Sequence, residues 1–321
     1  MPRRGWLLAG LALSLAALLL LLWPWFGPGP LAKDTAFIVA DGSSLAAVSS
    51  RLEAERAISS ATGFRLRARL FGGGAPIRAG EFMLPKGASA SKILRIIQGD
   101  EVLRRFVTVP EGMPSIMVME RLKAQPYLTG DVALPAEGSI LPDSYAFDRG
   151  ESRQAVLLRM QAAMSRTLKE LWARRGPDTV AKTPQEAVIL ASIVEKETGK
   201  PSERGLVAGL YSNRLRQGIM LQADPTIIYP ITLGKPLGRR IRQSEIQAIN
   251  DYNTYAMLGL PKGAITNPGK ASIEAVLHPA KTDALYMVAD GTGGHAFAAT
   301  LEQHNANVEK WFAIRRARGE I

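Results

Sequence analysis

The sequence predicts an α+β protein with an N-terminal transmembrane helix, a small α+β subdomain and a larger mixed α+β domain. Three observations support this prediction. No charged residue occurs between Gly5 and Ala32, short strand-like runs alternate with helical patterns up to about residue 103, and longer helical patterns dominate from about residue 104 onward. A chain of 321 residues, of which 46% are hydrophobic, is long enough to form two domains with packed cores.

The uncharged run predicts a membrane helix over residues 6–26. This segment is rich in Leu and Ala, and as a helix it would be roughly 30 Å long, which matches one bilayer core. Tryptophans lie at both ends, as in an aromatic belt: Trp6, Trp23 and Trp25. Arg3 and Arg4 precede the run, so residues 1–5 are expected in the cytoplasm and the rest outside. A cleaved signal peptide is the alternative, and the length of the run favours an uncleaved anchor.

The composition excludes several classes of protein. Without cysteine the chain cannot form disulfides, a Cys-ligated zinc site or a thiol nucleophile. Its 3 histidines lack the spacing of a helical zinc site, so no metal or other cofactor is expected. The sequence also has no Gly-x-Ser-x-Gly elbow of a serine hydrolase and no phosphate-binding P-loop.

The net charge of +11 bears on the partners of the exported part. A basic domain beside a membrane would meet anionic lipid or an anionic cell-wall polymer. The predicted topology argues against nucleic acid as a partner. A solvated basic surface without a specific partner is an equally good interpretation of the charge.

The first exported segment is predicted as a linker over residues 27–35 and a small subdomain over residues 36–103. Strands are predicted at Phe37–Val39 and Ile77–Leu84, and a helix at Ser89–Gln98. The segment Phe64–Phe71 fits a strand and a helix equally well.

The larger domain is predicted to span residues 104–321. Its predicted helices cover Ser152–Trp172, Thr183–Glu197, Ser202–Leu215 and Thr300–Arg318, with a strand at Phe106–Val109. The runs Leu285–Ala289 and His295–Ala298 flank a Gly-rich turn and predict a β-hairpin. On that hairpin His295 is expected to be structural, with a sugar contact as the alternative.

Glu197 is the candidate catalytic residue. It ends the apolar stripe of the helix Thr183–Glu197, whereas Glu195 points in another direction. Partial burial and the negative end of the helix dipole both favour the protonated carboxyl, which is the form that a general acid needs. An ion-paired glutamate at a fraying helix end fits the pattern as well.

Four further polar residues are candidate substrate contacts because they lie on loop-like stretches: Gln222, Asp224, Asn253 and Tyr255. Asp224 precedes a proline and could equally initiate a turn.

A series of short motifs resembles the MltG (YceG-like) family of endolytic murein transglycosylases. The motifs keep the family's order and spacing: Ala191–Thr198, Ser202–Arg204, Asn213–Leu215, Leu221–Thr226, Tyr252–Tyr255, Gly259–Pro261 and His278–Ala280. The resemblance covers roughly residues 36–318, and the family's catalytic acid corresponds to Glu197. The stretch Phe37–Leu52 resembles the start of a LysM-type glycan-binding subdomain, although the Gly-rich insertion at 72–75 departs from it.

The resemblance implies a lyase that cuts peptidoglycan strands between MurNAc and GlcNAc and leaves 1,6-anhydro-MurNAc ends. It implies a single-pass protein of the inner membrane that trims newly made glycan, with peptidoglycan synthases as partners by analogy. A membrane-anchored protein that binds or organises the wall without cutting it is the alternative function.

Overall fold

The computed structural model describes Leu13, Ala16 and residues 18–321. Residues 1–5, and positions 6–12, 14, 15 and 17 of the predicted membrane helix, lie outside the described residues. Among the residues that are described, no helix has both the length and the apolar character needed to cross a bilayer. The chain divides into two compact units, Met1–Arg105 and Phe106–Ile321.

From Thr35 onward, the first unit places two paired strands beside three helices. Its elements are β1 (Thr35–Val39), α1 (Leu45–Ala54), α2 (Ala61–Phe71), β2 (Gly80–Leu84) and α3 (Ala90–Gln98). Strands β1 and β2 are antiparallel, with Phe37 opposite Phe82. Each helix begins after a serine whose hydroxyl accepts a backbone N–H: Ser44, Ser60 and Ser89. The ambiguous segment Phe64–Phe71 is helical, because Phe64 and Ala68 share the buried face of α2.

The core of the first unit includes a residue of the predicted membrane segment. Residues 18–26 are helical, and Trp25 near their end is only 2% exposed. Its ring centroid lies 5.7 Å from that of Phe64 and 6.3 Å from that of Phe71. The placement of Trp25 in an interfacial belt was therefore wrong, because α2 supplies aromatic partners that bury its ring in protein. Trp23 is exposed.

The segment predicted as a linker is fixed to the first unit. The N–H of Gly29 donates to the carbonyl of Gly87, and the N–H of Gly87 donates to the carbonyl of Leu31. A Cβ on Gly29 would lie 2.1 Å from the carbonyl oxygen of Ala88, so only glycine fits this approach. Because Leu31 is also buried, the segment is part of the fold of this unit.

The second unit is mostly helical. Its helices are α4 (Ser115–Lys123), α5 (Arg153–Ala173), α6 (Pro184–Glu197), α7 (Arg204–Arg216), α8 (Asp224–Thr232), α9 (Gln243–Ile246), α10 (Lys270–Leu277) and α11 (Leu301–Ala317). Strand β3 (Arg105–Thr108), which begins at the boundary between the units, pairs with β4 (Ser144–Phe147). The predicted hairpin is confirmed as β5 (Tyr286–Ala289) and β6 (His295–Ala298), which are antiparallel.

Helix α6 forms the centre of the second unit. All residues from Ala187 to Val194 are buried, and the helix packs against α7 and α10. Thr183 caps its N-terminus by accepting the N–H of Glu186 at 3.1 Å, and Pro184 occupies the first turn. The sequence prediction of this helix and of its cap is confirmed. Its C-terminus delivers Glu197 to the end of a buried element.

Candidate active site

The carboxyl group of Glu197 lies at the C-terminal end of α6, against α7. The residue is half-buried, and its carboxyl is hydrogen-bonded to the hydroxyl of Tyr211, which is itself buried. Burial raises the pKa of Glu197 to about 7, the charge of Asp224 also raises it, and the Tyr211 hydrogen bond opposes both. A carboxyl with this pKa can donate a proton near neutral pH and take one back.

Asp224 and Tyr255 form a pair beside this carboxyl. Asp224 is the first residue of α8, and its Oδ1 accepts a hydrogen bond of 2.7 Å from the Tyr255 hydroxyl. Burial and the bond to Asp224 raise the pKa of Tyr255, as does the charge of Glu197. Tyr255 therefore remains a neutral donor that fixes the position of the Asp224 carboxylate.

Two buried threonines join the loops that carry these residues. The hydroxyls of Thr226 and Thr254 lie 2.8 Å apart. The Thr254 hydroxyl also accepts the N–H of Ala223 at 3.0 Å, and the Thr226 hydroxyl accepts the N–H of Thr254 at 3.2 Å. Because both hydroxyls are buried and bonded to backbone, the two loops are held in one fixed arrangement.

Gln222 is positioned by Arg214. Its side-chain oxygen accepts a hydrogen bond of 3.2 Å from Nη1 of Arg214, which also donates to the carbonyls of Met220 and Leu221. The backbone of Gln222 has a φ of 54°, which is an uncommon conformation for a residue other than glycine. The bond from its N–H to the carbonyl of Thr254, at 3.1 Å, holds this conformation.

Asn253 lies under the site and not at its surface. The side chain is fully buried. Its Nδ2 donates to the backbone carbonyls of residues 245, 246 and 248, and its Oδ1 accepts the N–H of Tyr255. The structure thus brings Glu197, Gln222, Asp224 and Tyr255 into one region, whereas the amide of Asn253 is occupied by the protein itself.

Glu195 has different surroundings from Glu197. One carboxylate oxygen of Glu195 accepts the N–H of Gly269 at 2.9 Å and the hydroxyl of Ser272 at 2.6 Å. These bonds attach α6 to the start of α10, so Glu195 is a structural residue.

A second group of polar side chains fixes the loop after Glu197. One oxygen of Glu203 accepts the hydroxyl of Thr198 at 3.2 Å and lies 2.9 Å from Nδ1 of His295, and the other accepts the N–H of His295. Burial raises the pKa of Glu203, but the bonds from His295 and Thr198 lower it more, so the carboxylate stays ionised. His295 is thus a structural histidine in this fold.

A groove of about 480 Å³ is lined in part by residues that directly adjoin Glu197 and Asp224 in the sequence. Lys196 comes from the end of α6 and Pro225 from the start of α8. The remaining lining is mainly apolar and includes Met113, Met117 and Ile228. Among the described residues, no cluster of three or more His, Asp or Glu side chains is arranged to hold a metal ion.

The sequence did not identify Tyr211, Arg214 or the threonine pair as parts of the site. A signal existed for Tyr211, since a hydroxyl within the predicted helix Ser202–Leu215 requires a partner if that helix face is buried. Thr226 and Thr254 lie within the motifs Leu221–Thr226 and Tyr252–Tyr255, but no local pattern predicts their contact, which joins positions 28 residues apart.

Comparisons of sequence and of fold with known proteins both match YceG-like proteins. The YceG-like family model matches residues 37–310. A protein of Bacillus subtilis named endolytic murein transglycosylase is 26% identical and aligns over 89% of this chain and 88% of its own length. A Streptococcus pneumoniae protein of the same name is 34% identical over 54% of this chain and 31% of its own. In fold, the chain is similar to a YceG-like protein of Listeria monocytogenes whose crystal structure gives a TM-score of 0.55 at 23% identity, covering 85% of this chain and 98% of that one.

Proposed function

The chain belongs to the YceG-like family, and we propose on that basis that it is an endolytic lytic transglycosylase of peptidoglycan. The name shared by the Bacillus and Streptococcus relatives supports this activity. The observation that carries the proposal is the Glu197 carboxyl, whose pKa of about 7 suits one group to act first as acid and then as base.

The reaction needs one proton carrier. Glu197 donates its proton to the oxygen between MurNAc and GlcNAc, and the bond from C1 to that oxygen breaks. The C6 hydroxyl oxygen of the same MurNAc then bonds to C1 while Glu197 takes up the hydroxyl proton. The products are a 1,6-anhydro-MurNAc end and a GlcNAc end with a free hydroxyl. Because no water enters, a second carboxylate to activate water is unnecessary.

The remaining predicted site residues have distinct proposed roles. The Asp224 carboxylate raises the pKa of Glu197 and stabilises the positive charge that develops at C1, together with the substrate's own N-acetyl oxygen. Gln222 and Tyr255 contact the sugar. Asn253 acts as a positioning residue, since its amide holds the N–H of Tyr255.

We propose that the groove containing Lys196 and Pro225 receives part of the glycan strand. Its apolar lining suits the flat faces of sugar rings, and the ammonium group of Lys196 suits a carboxylate of peptidoglycan. Binding on this side would place the strand along the end of α6.

We further propose that residues 6–26 anchor the protein in the inner membrane, with the N-terminus in the cytoplasm and both units outside. Cutting would then be confined to newly made strands near the bilayer, where peptidoglycan synthases are the expected partners. The first unit would bind glycan, as its LysM resemblance implies. A cavity beside Ser43 and Leu45, within the stretch that carries this resemblance, supports such a role.

Digestion of isolated glycan strands tests the activity. We expect the full chain in detergent to release fragments one water lighter than hydrolysis products, and the Glu197→Gln variant to release none. Glu195→Gln serves as the matched control and should retain the product type. Hydrolysed reducing ends would indicate a muramidase, and intact strands would indicate a binding protein.

A further inference from the structure

Helix α2 has an apolar face that the described residues of its own unit leave exposed. The buried side of the helix carries Phe64 and Ala68. On the other side, Leu66 and Leu70 lie one turn apart and are 56% and 60% exposed. Exposed leucines one turn apart on a short helix form a continuous apolar stripe, and contiguous exposed apolar surface is a mark of interaction sites.

Arginines border this stripe on both sides. At the helical repeat, Arg65 and Arg69 fall on one flank of Leu66 and Leu70, and Arg67 falls on the other. This pattern is typical of helices that lie in a membrane interface, with aliphatic side chains in the acyl region and arginines extended to the headgroups. Arg65 and Arg69 complement anionic phospholipids in charge, whereas the guanidinium of Arg67 is bonded to backbone carbonyls of the protein.

The end of the helical segment 18–26 lies beside α2. The guanidinium Nε of Arg67 donates a hydrogen bond of 2.9 Å to the carbonyl of Leu21. The ring of Phe26 is 6.4 Å from that of Phe71, and both rings are partly exposed, as is Trp23. The apolar run that is the proposed membrane anchor therefore ends beside α2, along the flank of the helix that carries Arg67 and Phe71.

We infer that α2 lies on the outer surface of the membrane, with Leu66 and Leu70 inserted among anionic phospholipids. This inference rests on the anchor proposed above and adds a second contact with the bilayer. Trp25 is packed against Phe64 and Phe71, so the anchor end and α2 move together. A membrane contact at α2 would fix the tilt of the first unit and not merely its distance from the bilayer.

The absence of cysteine allows the contact to be measured at single sites. Leu66→Cys and Leu70→Cys would each be labelled with a fluorophore in the full chain, reconstituted into nanodiscs that contain phosphatidylglycerol. Lipids with a nitroxide near the headgroup then report contact at positions 66, 70 and 50 by quenching, and lipids with a nitroxide on the acyl chain report position 13. Leu13→Cys reports the anchor, and Ser50→Cys, an exposed position on α1, is the matched control.

We expect quenching at positions 66 and 70 to exceed that at position 50 at least about threefold. Replacing phosphatidylglycerol by phosphatidylcholine should weaken it, since the arginines then lose their anionic partners. Strong quenching at position 13 with equal values at 66, 70 and 50 would overturn the inference and leave the anchor intact. No quenching at position 13 would overturn the anchor and this inference with it. Disulfide-linked dimers of the unlabelled Leu66→Cys variant, together with no lipid quenching of the labelled variant, would show that a second copy covers the face and would overturn the inference.

Discussion

The hydroxyl of Tyr255 donates a hydrogen bond of 2.7 Å to the carboxylate of Asp224. The geometry matters because the charge of Asp224 raises the pKa of Glu197. The proton affinity of the candidate acid therefore depends on a carboxylate that a neighbouring loop holds in place. Electrostatic control of this kind can be tested by changing one charge at a time.

Replacing Asp224 by Asn should shift the pH profile of strand cleavage. The variant removes the negative charge and keeps an oxygen that can accept from Tyr255, so the pKa of Glu197 falls and the acid loses its proton at a lower pH. We expect the high-pH decline of kcat/KM to move down by about 0.5–1 pH unit. Asp251→Asn, at an exposed carboxylate paired with Lys262, should leave the decline where it is. An unshifted profile in Asp224→Asn would contradict the proposed coupling.

Tyr211→Phe should move the same decline in the opposite direction. The hydroxyl of Tyr211 stabilises the ionised form of Glu197, so its loss raises the pKa of that carboxyl. The expected shift is on the order of one pH unit upward. Tyr229→Phe is a suitable control because Tyr229 is bonded to Glu137 and not to Glu197. A downward shift in Tyr211→Phe would contradict the proposal that the Tyr211 hydroxyl stabilises the ionised carboxylate of Glu197.

Glu197→Gln should stabilise the protein at alkaline pH. The pKa of Glu197 is about 7 in the folded chain and near 4.5 in the unfolded chain, so the folded chain binds this proton more tightly. The folded state therefore loses stability as the pH rises from 4.5 to 7, and the loss is complete above 7. At pH 8 the free energy of unfolding of the variant should exceed that of the wild type by about 2–3 kcal/mol, with little difference near pH 4.5. Urea unfolding at both pH values measures this. The exposed control Glu309→Gln should show no such pH-dependent gain.

Glu203→Ala should lower both stability and turnover. It leaves the Thr198 hydroxyl and His295 without their acceptor, which should cost about 2 kcal/mol of unfolding free energy. Because Thr198 follows Glu197 directly, we also expect kcat to fall while KM changes little. Glu203→Gln, which retains an acceptor oxygen, should recover part of both losses. A normal kcat in the alanine variant would argue that the loop does not position the acid.

Asn253→Ala should act through stability. The buried carbonyls near residue 246 and the N–H of Tyr255 lose their partners, so we expect the free energy of unfolding to fall by about 2–3 kcal/mol. Asn305→Ala, at an exposed position on α11, should change it by less than about 0.5 kcal/mol. A stable variant with a raised KM would instead support a direct contact between Asn253 and the glycan.

Much of the fold follows from local patterns, and the site follows from them only in part. Thr183 and Pro184 mark the start of α6, and the apolar stripe ending at Glu197 identifies the candidate acid without reference to other helices. The contact of Glu197 with Tyr211 depends on how α6 packs against α7, which no local pattern encodes. Polarity predicts that Asn253 and Tyr255 lie on a loop, but it does not tell which side chain turns inward. Trp25 shows the same limit, because its burial depends on α2.

The burial of Trp25 has a consequence for preparing the protein and for its folding in the cell. A water-soluble form beginning at Lys33 would lack this ring, and the void left among Phe64 and Phe71 should cost about 3–5 kcal/mol, a large part of a small unit's stability. A form beginning at Leu21 or earlier would retain the ring. In the exported, membrane-anchored protein proposed above, the first unit would complete its core only after the end of the apolar run had left the secretion channel, and its folding would then be coupled to membrane insertion.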